Sequence, residues 1–124
     1  MHIEQFLEYC MSKPGVEETF PFDESTLVMK VMGKMWALTG LDSEPFRINL
    51  KCDPVRAEEL RDEYEEIQPG YHMNKKHWNT VIVGEGLLEQ SLILELIDHS
   101  YELVVKGLTK AKKAELVQLI KESE

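Results

Sequence analysis

A chain of 124 residues can bury a real hydrophobic core, and we expect a single domain over residues 1–124. Its 23 acidic residues against 14 lysines and arginines give a net charge of −9, which argues against a uniformly basic nucleic-acid binder. Cys10 and Cys52 have no CxxC spacing, and the sequence shows no secretory signal and no apolar run long enough for a membrane span. We therefore expect a cytoplasmic protein without a membrane partner.

An amphipathic helix is the first predicted element, because apolar residues recur at i, i+3, i+4, i+7 and i+8 across residues 3–11. After a proline that ends it, the Phe-Pro-Phe segment 20–22 is predicted to anchor the next section of chain to the core. Residues 26–31 and 34–39 are rich in Val, Met, Leu and Trp. They predict a hairpin in which Gly33 takes the positive φ of the turn.

Residues 46–51 alternate strictly between apolar and polar types and predict a strand. Its apolar side faces the core, and Arg47, Asn49 and Lys51 form a polar, basic row on the other side. An Asp-Pro pair then begins a predicted helix, with the carboxylate as N-cap and the proline in the first turn. The buried stripe of this helix is expected to extend to Ile67.

Three elements are predicted in the last part of the chain. A β-branched strand covers residues 79–83, a long helix covers 88–106, and Thr109 caps a final helix with Leu116 and Val117 on its inner face. Sequential hairpins before a helix favour an antiparallel sheet over a parallel one. The predicted fold class is therefore α+β, a single antiparallel meander with helices packed on it.

The stretch from residue 69 to 81 is the candidate binding site. Two imidazoles, two ammoniums, two amides, a phenol and an indole fall within these 13 residues, more than a connector requires. The candidate ligand-binding residues are His72, Asn74, Lys75, Lys76, His77, Trp78 and Asn79. The alternative is a structural loop, in which the asparagines satisfy backbone groups and Trp78 packs into the core.

Lysines are clustered in three segments that contain no acidic residue. They are Lys30 and Lys34, then Lys75 and Lys76, and finally Lys106, Lys110, Lys112 and Lys113. Lysines that converge on one surface would be suited to contact phosphates despite the negative total. The last of these segments also fits the second helix of a helix-turn-helix, for which the alternative is a packed helical hairpin.

Metal and catalytic sites have less support in the sequence. His72 and His77 are five residues apart, which is not the i, i+4 spacing of a zinc-binding helix. Cys52 precedes a predicted helix N-terminus, where a thiol can be acidified, but no partners for nucleophilic catalysis are identified. We expect no catalytic residues, no metal site, no cofactor and no enzymatic activity.

Several segments in succession resemble the motifs of the MmcQ/YjbR family of small bacterial proteins. They are Lys13-Pro14-Gly15, Phe20-Pro21-Phe22, Leu50-Lys51-Cys52-Asp53-Pro54, the stretch 69–81 and residues 97–104. The resemblance implies a single α+β domain in a double-wing arrangement, similar in outline to secretion-chaperone-like folds. The family is labelled DNA-binding, so the resemblance also implies contact with DNA, and it brings no catalytic residues.

Two functional hypotheses follow. The first is a non-enzymatic binding domain that contacts DNA through the basic segments and the stretch 69–81. The alternative is a chaperone-like module that binds a protein or a small molecule with the same stretch and with the row of Arg47, Asn49 and Lys51. We expect a monomer or a weak dimer in either case.

Overall fold

The computed structural model describes residues 1–71 and 73–123 of the chain. In chain order its elements are α1 (Ile3–Met11), β1 (Val16–Thr19), β2 (Thr26–Val31), β3 (Lys34–Gly40), β4 (Arg47–Lys51), α2 (Pro54–Glu63), β5 (Ile67–Pro69), β6 (Trp78–Ile82), α3 (Gln90–Lys106) and α4 (Lys110–Glu122). The strands form one six-stranded antiparallel sheet in the order β1-β2-β3-β4-β6-β5. The predicted α+β meander is confirmed. Within the described residues, none of the helices combines the length and apolar character needed to span a bilayer.

One face of the sheet packs against the helices and forms the main core. Met29 and Ile48 from the sheet share this core with Phe6 of α1, Ile97 of α3 and Leu116 of α4. The chain reaches β3 through a tight turn with positive φ at Met32 (50°) and Gly33 (81°), as a two-residue hairpin requires. The predicted role of Gly33 is confirmed.

The opposite face carries a small apolar cluster of its own. Val28, Leu38 and Trp78 are buried there, and Met35 and Met73 pack against them. Among the residues that the structure describes, no helix contributes to this cluster. We call this side of the sheet the helix-free face.

β4 presents its polar row on the helix-free face. Ile48 and Leu50 are buried in the main core, and strand alternation puts the residues between and beside them on the other side. Asn49 is aligned with Leu38 of β3 and with Thr80 of β6. The predicted division of this strand into core-facing and outward-facing residues is confirmed.

A buried hydroxyl from α3 joins β3 to β4. Ser100, which is 0 % exposed, donates to the carbonyl oxygen of Trp36 (2.5 Å) and accepts from the N–H of Lys51 (2.8 Å). These backbone groups lie just beyond the aligned pair Ala37 and Leu50. The helix therefore satisfies two groups that the strands do not satisfy between themselves.

Three predictions about individual segments are wrong. Phe20 and Phe22 are 49 % and 66 % exposed, because they lie in the connection between β1 and β2, beyond the sheet edge. The second helix ends before Tyr64, whose backbone is extended, and Ile67 is buried as the first residue of β5 instead. Val117 is exposed, because only one stripe of α4 meets the core.

An ion pair ties the end of α1 to α3. The Lys13 ammonium contacts the Asp98 carboxylate, and the Tyr9 hydroxyl donates to the same carboxylate (2.6 Å). The ammonium also lies over the rings of Tyr9 and Tyr101, 4.9 and 5.3 Å from their centroids. Burial raises the pKa of Asp98, but the hydrogen bonds from Lys13 and Tyr9 outweigh it and hold that pKa below its usual value. Hydrogen bonding to Asp98, together with burial, raises the pKa of Tyr9 to about 12.

Asp98→Asn should lower the free energy of unfolding by about 1 kcal/mol near neutral pH, since Lys13 loses its partner at a carboxylate that is 37 % exposed. The folded-state pKa of Asp98 is lowered, so its contribution is present above the unfolded-state pKa of about 3.9. That contribution is lost as the pH falls through the folded-state pKa. Urea unfolding should therefore show the difference at about pH 7 and little of it at about pH 3. Glu102→Gln, at an exposed position on the same helix, is the control; an equal loss at both pH values would contradict the prediction.

Candidate functional site

The described residues of the connection between β5 and β6, which are 70, 71 and 73–77, turn back over the helix-free face; we call this connection the β5–β6 loop. Gly70 donates its N–H to the carbonyl of Trp78 (2.9 Å), and a Cβ on Gly70 would lie 2.8 Å from the Cβ of Trp78. The N–H of Tyr71 then donates to Oγ1 of Thr80 (3.0 Å). Only glycine allows this close approach, so the loop is held tightly against β6.

Arg61 of α2 holds the other end of the β5–β6 loop. Its Nε donates to Oδ1 of Asn79 (2.6 Å), and its Nη2 donates to the carbonyls of Trp78 (3.3 Å) and Lys75. Asn79 is 1 % exposed, and its own Nδ2 donates to the carbonyl of Ala57 in α2 (3.5 Å). One guanidinium thus connects the helix, the loop and β6.

A cleft of about 710 Å³ lies between the β5–β6 loop and the helix-free face. Its lining combines cationic, amide, hydroxyl and aromatic side chains. The lining residues are Gly40, Ser43, Arg47, Asn49, Gln68, Pro69, Tyr71, Lys75 and Thr80. Two of them, Arg47 and Lys75, are cationic, and none of these described residues is acidic.

Hydrogen bonds fix the polar groups of the cleft. The Thr80 hydroxyl donates to Oδ1 of Asn49 (2.6 Å) on the neighbouring strand. Nη1 of Arg47 donates to Oγ of Ser43 and to the carbonyl of Pro45, both at 3.3 Å. These bonds leave other N–H groups of the guanidinium available to a ligand, because Arg carries five donors. The cleft is therefore suited to a group that accepts hydrogen bonds and carries negative charge.

Comparison with known proteins identifies the family. A family model for YjbR matches residues 11–103. The chain is 37 % identical to the uncharacterized protein YjbR of Escherichia coli strain K12 over 119 residues, which cover 96 % of this chain and 100 % of that protein. The chain belongs to the YjbR family. The recognition made from the sequence motifs is confirmed.

The chain is also similar to a further Escherichia coli protein and to a solved structure. The chain is 46 % identical to the uncharacterized protein YbdF of Escherichia coli O157:H7 over 102 residues, which cover 82 % of each protein. The crystal structure of Deinococcus radiodurans protein DR2400, a DUF419 domain, matches with a TM-score of 0.83 and 46 % identity over 91 % of this chain and 86 % of that one. The α+β architecture of this chain is therefore also found in a crystal structure.

Only part of the predicted binding stretch of this YjbR-family chain reaches the cleft. Lys75 lines it, with Nζ donating to the carbonyl of Gly70 (3.3 Å), and Lys76 is exposed beside it. Asn74 is a turn residue, because its Oδ1 accepts the N–H of Lys76 (2.9 Å) and its carbonyl accepts the N–H of Trp78 (3.0 Å). Its side chain thus has the structural role that the alternative interpretation assigned to it.

The remaining residues of the predicted stretch support the fold. Trp78 is buried in the cluster on the helix-free face, and Asn79 is buried under Arg61. The carbonyl of His77 accepts the N–H of Cys52 (2.8 Å), which joins the loop to the end of β4. His72 lies outside the described residues.

Apart from Lys75 and Lys76, which lie in the β5–β6 loop, the predicted lysines lie near the end of the sheet where β3 begins and β4 ends; we call this the basic end. Lys34 and Lys51 line one hollow of about 240 Å³ there. Nζ of Lys112 donates to the carbonyl of Met32 (3.0 Å), which places the start of α4 against the β2–β3 turn. The other lysines near this end are Lys30 on β2, Lys106 at the end of α3, and the exposed Lys110 and Lys113 in α4. Across the edge of the sheet, Glu17 of β1 is aligned with Lys30.

The structure gives little support to metal or thiol chemistry. Among residues 1–71 and 73–123, no three His, Cys, Asp or Glu side chains lie close enough to hold a metal ion. Burial raises the pKa of the Cys52 thiol to about 11, and burial raises that of Cys10 to about 12. Burial therefore keeps the Cys52 thiol before α2 protonated, in agreement with a small apolar role for this residue.

Sequence reasoning missed several residues of the site. Ser43 and Gln68 line the cleft, and Arg61 supports the loop, but none of them belongs to the predicted stretch. Thr80 lies inside the stretch, but the sequence predicts only a strand position for it. No local signal marks Arg61, because its partners lie 14 to 18 positions away, and Ser43 and Gln68 become cleft residues only because the fold brings them together.

Proposed function

We propose that this chain is a non-enzymatic binding domain that holds a small anionic ligand in the cleft. The observation that carries the proposal is the charge of the lining: Arg47 and Lys75 are both present, and no described lining residue is a carboxylate. The proposal takes up the small-molecule alternative of the sequence analysis. It uses the β4 row for one wall and the β5–β6 loop for the other.

Local charge can dominate in the cleft although the whole chain carries −9. Exposed charges are screened over about 8–10 Å at physiological salt, so cations lining the cleft act on a ligand more strongly than distant acidic blocks do. A guanidinium and an ammonium are the side chains best suited to carboxylate and phosphate groups. The volume of about 710 Å³ also lies in the usual range for small-molecule sites.

An NMR titration with phenyl phosphate tests the proposal. Wild type should show saturable amide shifts confined to the cleft, and the double variant Arg47→Gln, Lys75→Gln should bind at least about tenfold more weakly, because both charged donors are lost. The double variant Lys76→Gln, Lys110→Gln removes the same charge outside the cleft and should bind as wild type does. Absence of a saturable shift in wild type, or equal weakening in both double variants, would refute the proposal.

Contact with duplex DNA is a second candidate function, favoured by the basic end of the sheet. Lys34 and Lys51 share a hollow there, and Lys112 brings the lysine-rich first turn of α4 beside it. Phosphate neutralisation by a concentrated group of lysines supplies affinity for duplex DNA even when the rest of the protein is acidic. Glu17 opposite Lys30 offsets part of this charge.

Fluorescence anisotropy with a short labelled duplex tests this second candidate. Binding should be strong at low salt and weaken steeply as salt is raised, because bound lysines release counterions from the DNA. The double variant Lys34→Glu, Lys110→Glu should abolish binding, whereas Arg47→Gln, Lys75→Gln should retain it. If wild type does not bind at low salt, or if only the cleft variant loses binding, DNA contact through the basic end is excluded.

A further inference from the structure

We infer that Asn49 is the specificity-determining residue of the cleft and that the ligand group it contacts is an oxyanion, either a carboxylate or a phosphate. The inference rests on the proposed function and makes it more specific. The side-chain amide of Asn49 then determines whether the cleft binds ligands that accept hydrogen bonds or ligands that donate them. Three observations support it: the orientation of the amide, the supply of donors around it, and the link to the β5–β6 loop.

The hydrogen bond to Thr80 determines the orientation of the Asn49 amide. The two side chains are 2.6 Å apart, which is typical of an O–H···O bond and short for an N–H···O bond. The Thr80 oxygen accepts the N–H of Tyr71 (3.0 Å) and donates its own proton to Oδ1 of Asn49. Asn49 therefore accepts through Oδ1, and its Nδ2 must point away from Thr80.

The orientation leaves Asn49 as a donor on the floor of the cleft. Among the described residues, its Nδ2 donates to no protein acceptor, and Asn49 lines the cleft. The neighbouring donors are the guanidinium of Arg47 and the ammonium of Lys75, which are cationic as well. A ligand group at this point thus meets N–H donors and positive charge, and only an acceptor with negative charge satisfies both.

The same hydrogen bonds couple the amide to the β5–β6 loop. Thr80 is 5 % exposed and receives the first N–H of the loop, from Tyr71, while it holds Asn49. A hydroxyl that lost either partner would be free to rotate, and the amide would no longer be held as a donor. The position of the loop and the selectivity of the cleft are therefore linked through a single threonine.

Three planar probes of similar shape test the inference: benzoate, phenyl phosphate and benzamidine. NMR titrations of wild type should give at least about tenfold tighter binding of the two anions than of benzamidine, which presents N–H donors and positive charge. Benzoate and phenyl phosphate distinguish a carboxylate site from a phosphate site. Asn49→Asp should lower the preference for the anions at least about tenfold, because the new carboxylate still accepts the Thr80 hydroxyl and directs an acceptor oxygen and a negative charge into the cleft. Gln5→Glu, an equal charge change at an exposed position of α1, should leave the preference unchanged.

Variants of Thr80 test the hydrogen bond that orients the Asn49 amide, and they change no charge. Thr80→Val removes the hydroxyl and should lower the preference for benzoate over benzamidine about tenfold, whereas Thr80→Ser should keep it. If Asn49→Asp or Thr80→Val leaves the preference unchanged, the role of Asn49 is refuted. Wild type that binds benzamidine as tightly as benzoate also refutes it, while the cleft remains a binding site. Wild type that binds none of the three probes refutes the proposed function itself.

Discussion

Ser100→Ala should lower the free energy of unfolding by about 2–4 kcal/mol, a large loss for the removal of one oxygen atom. The hydroxyl joins the carbonyl of Trp36 to the N–H of Lys51 from a side chain that is fully buried. Without it, a backbone acceptor and a backbone donor lose their partner in the interior, and each such loss costs about 1–3 kcal/mol. Urea unfolding followed by tryptophan fluorescence measures the change, because Trp36 is itself buried at the junction.

A serine elsewhere on α3 provides the matched control. Ser91 is exposed in the first turn of the same helix, so Ser91→Ala should change the free energy of unfolding by less than about 0.5 kcal/mol. A loss below about 1 kcal/mol in Ser100→Ala would mean that β3 and β4 close up and bond directly. The buried hydroxyl would then be dispensable, which would contradict its proposed role as a bridge.

How well an element could be predicted depends on where its stability comes from. β4 was predicted because the burial of Ile48 and Leu50 is recorded in the local alternation of residue types. β1 was missed because Val16 is the only strongly apolar residue in Val16–Thr19, so pairing with β2 rather than local preference makes it a strand. Ile67 would be buried in a helix as well as in a strand, so its residue type does not distinguish the two. Its alignment with Val81 in the sheet makes it a strand residue.

The candidate site was predictable in location but not in the roles of its residues. The concentration of polar and aromatic side chains in the stretch 69–81 is visible in the sequence, and Lys75 from that stretch does line a cleft. The sequence does not show which of these residues line the cleft and which support the fold. Asn74 and Asn79 are the same residue type, yet Asn74 is exposed in a turn and Asn79 is buried under an arginine 18 positions away. Asn49 acquires its orientation from Thr80, 31 positions away.

Arg61→Met should lower the free energy of unfolding by about 2–3 kcal/mol and loosen the β5–β6 loop. The substitution keeps a long apolar side chain but removes every donor that holds Asn79 and the carbonyls of Trp78 and Lys75. Oδ1 of Asn79 would then be unsatisfied at a residue that is 1 % exposed, which accounts for most of the loss. Urea unfolding measures the stability, and hydrogen exchange measures the protection of amides in the loop.

Arg56 offers a control on the same helix with the same substitution. It pairs with Glu95 through two hydrogen bonds of 2.6 and 2.7 Å, but Glu95 is 53 % exposed, so Arg56→Met should cost less than about 1 kcal/mol. It should also leave exchange in the β5–β6 loop unchanged, whereas Arg61→Met should accelerate it and weaken phenyl phosphate binding together. Faster exchange in the loop together with weaker phenyl phosphate binding would show that Arg61 holds the loop in place and does not only stabilise the domain as a whole. If Arg61→Met lowered stability with no faster exchange in the loop, Arg61 would stabilise β6 alone, and the wall of the cleft that carries Lys75 would depend on contacts within the loop itself.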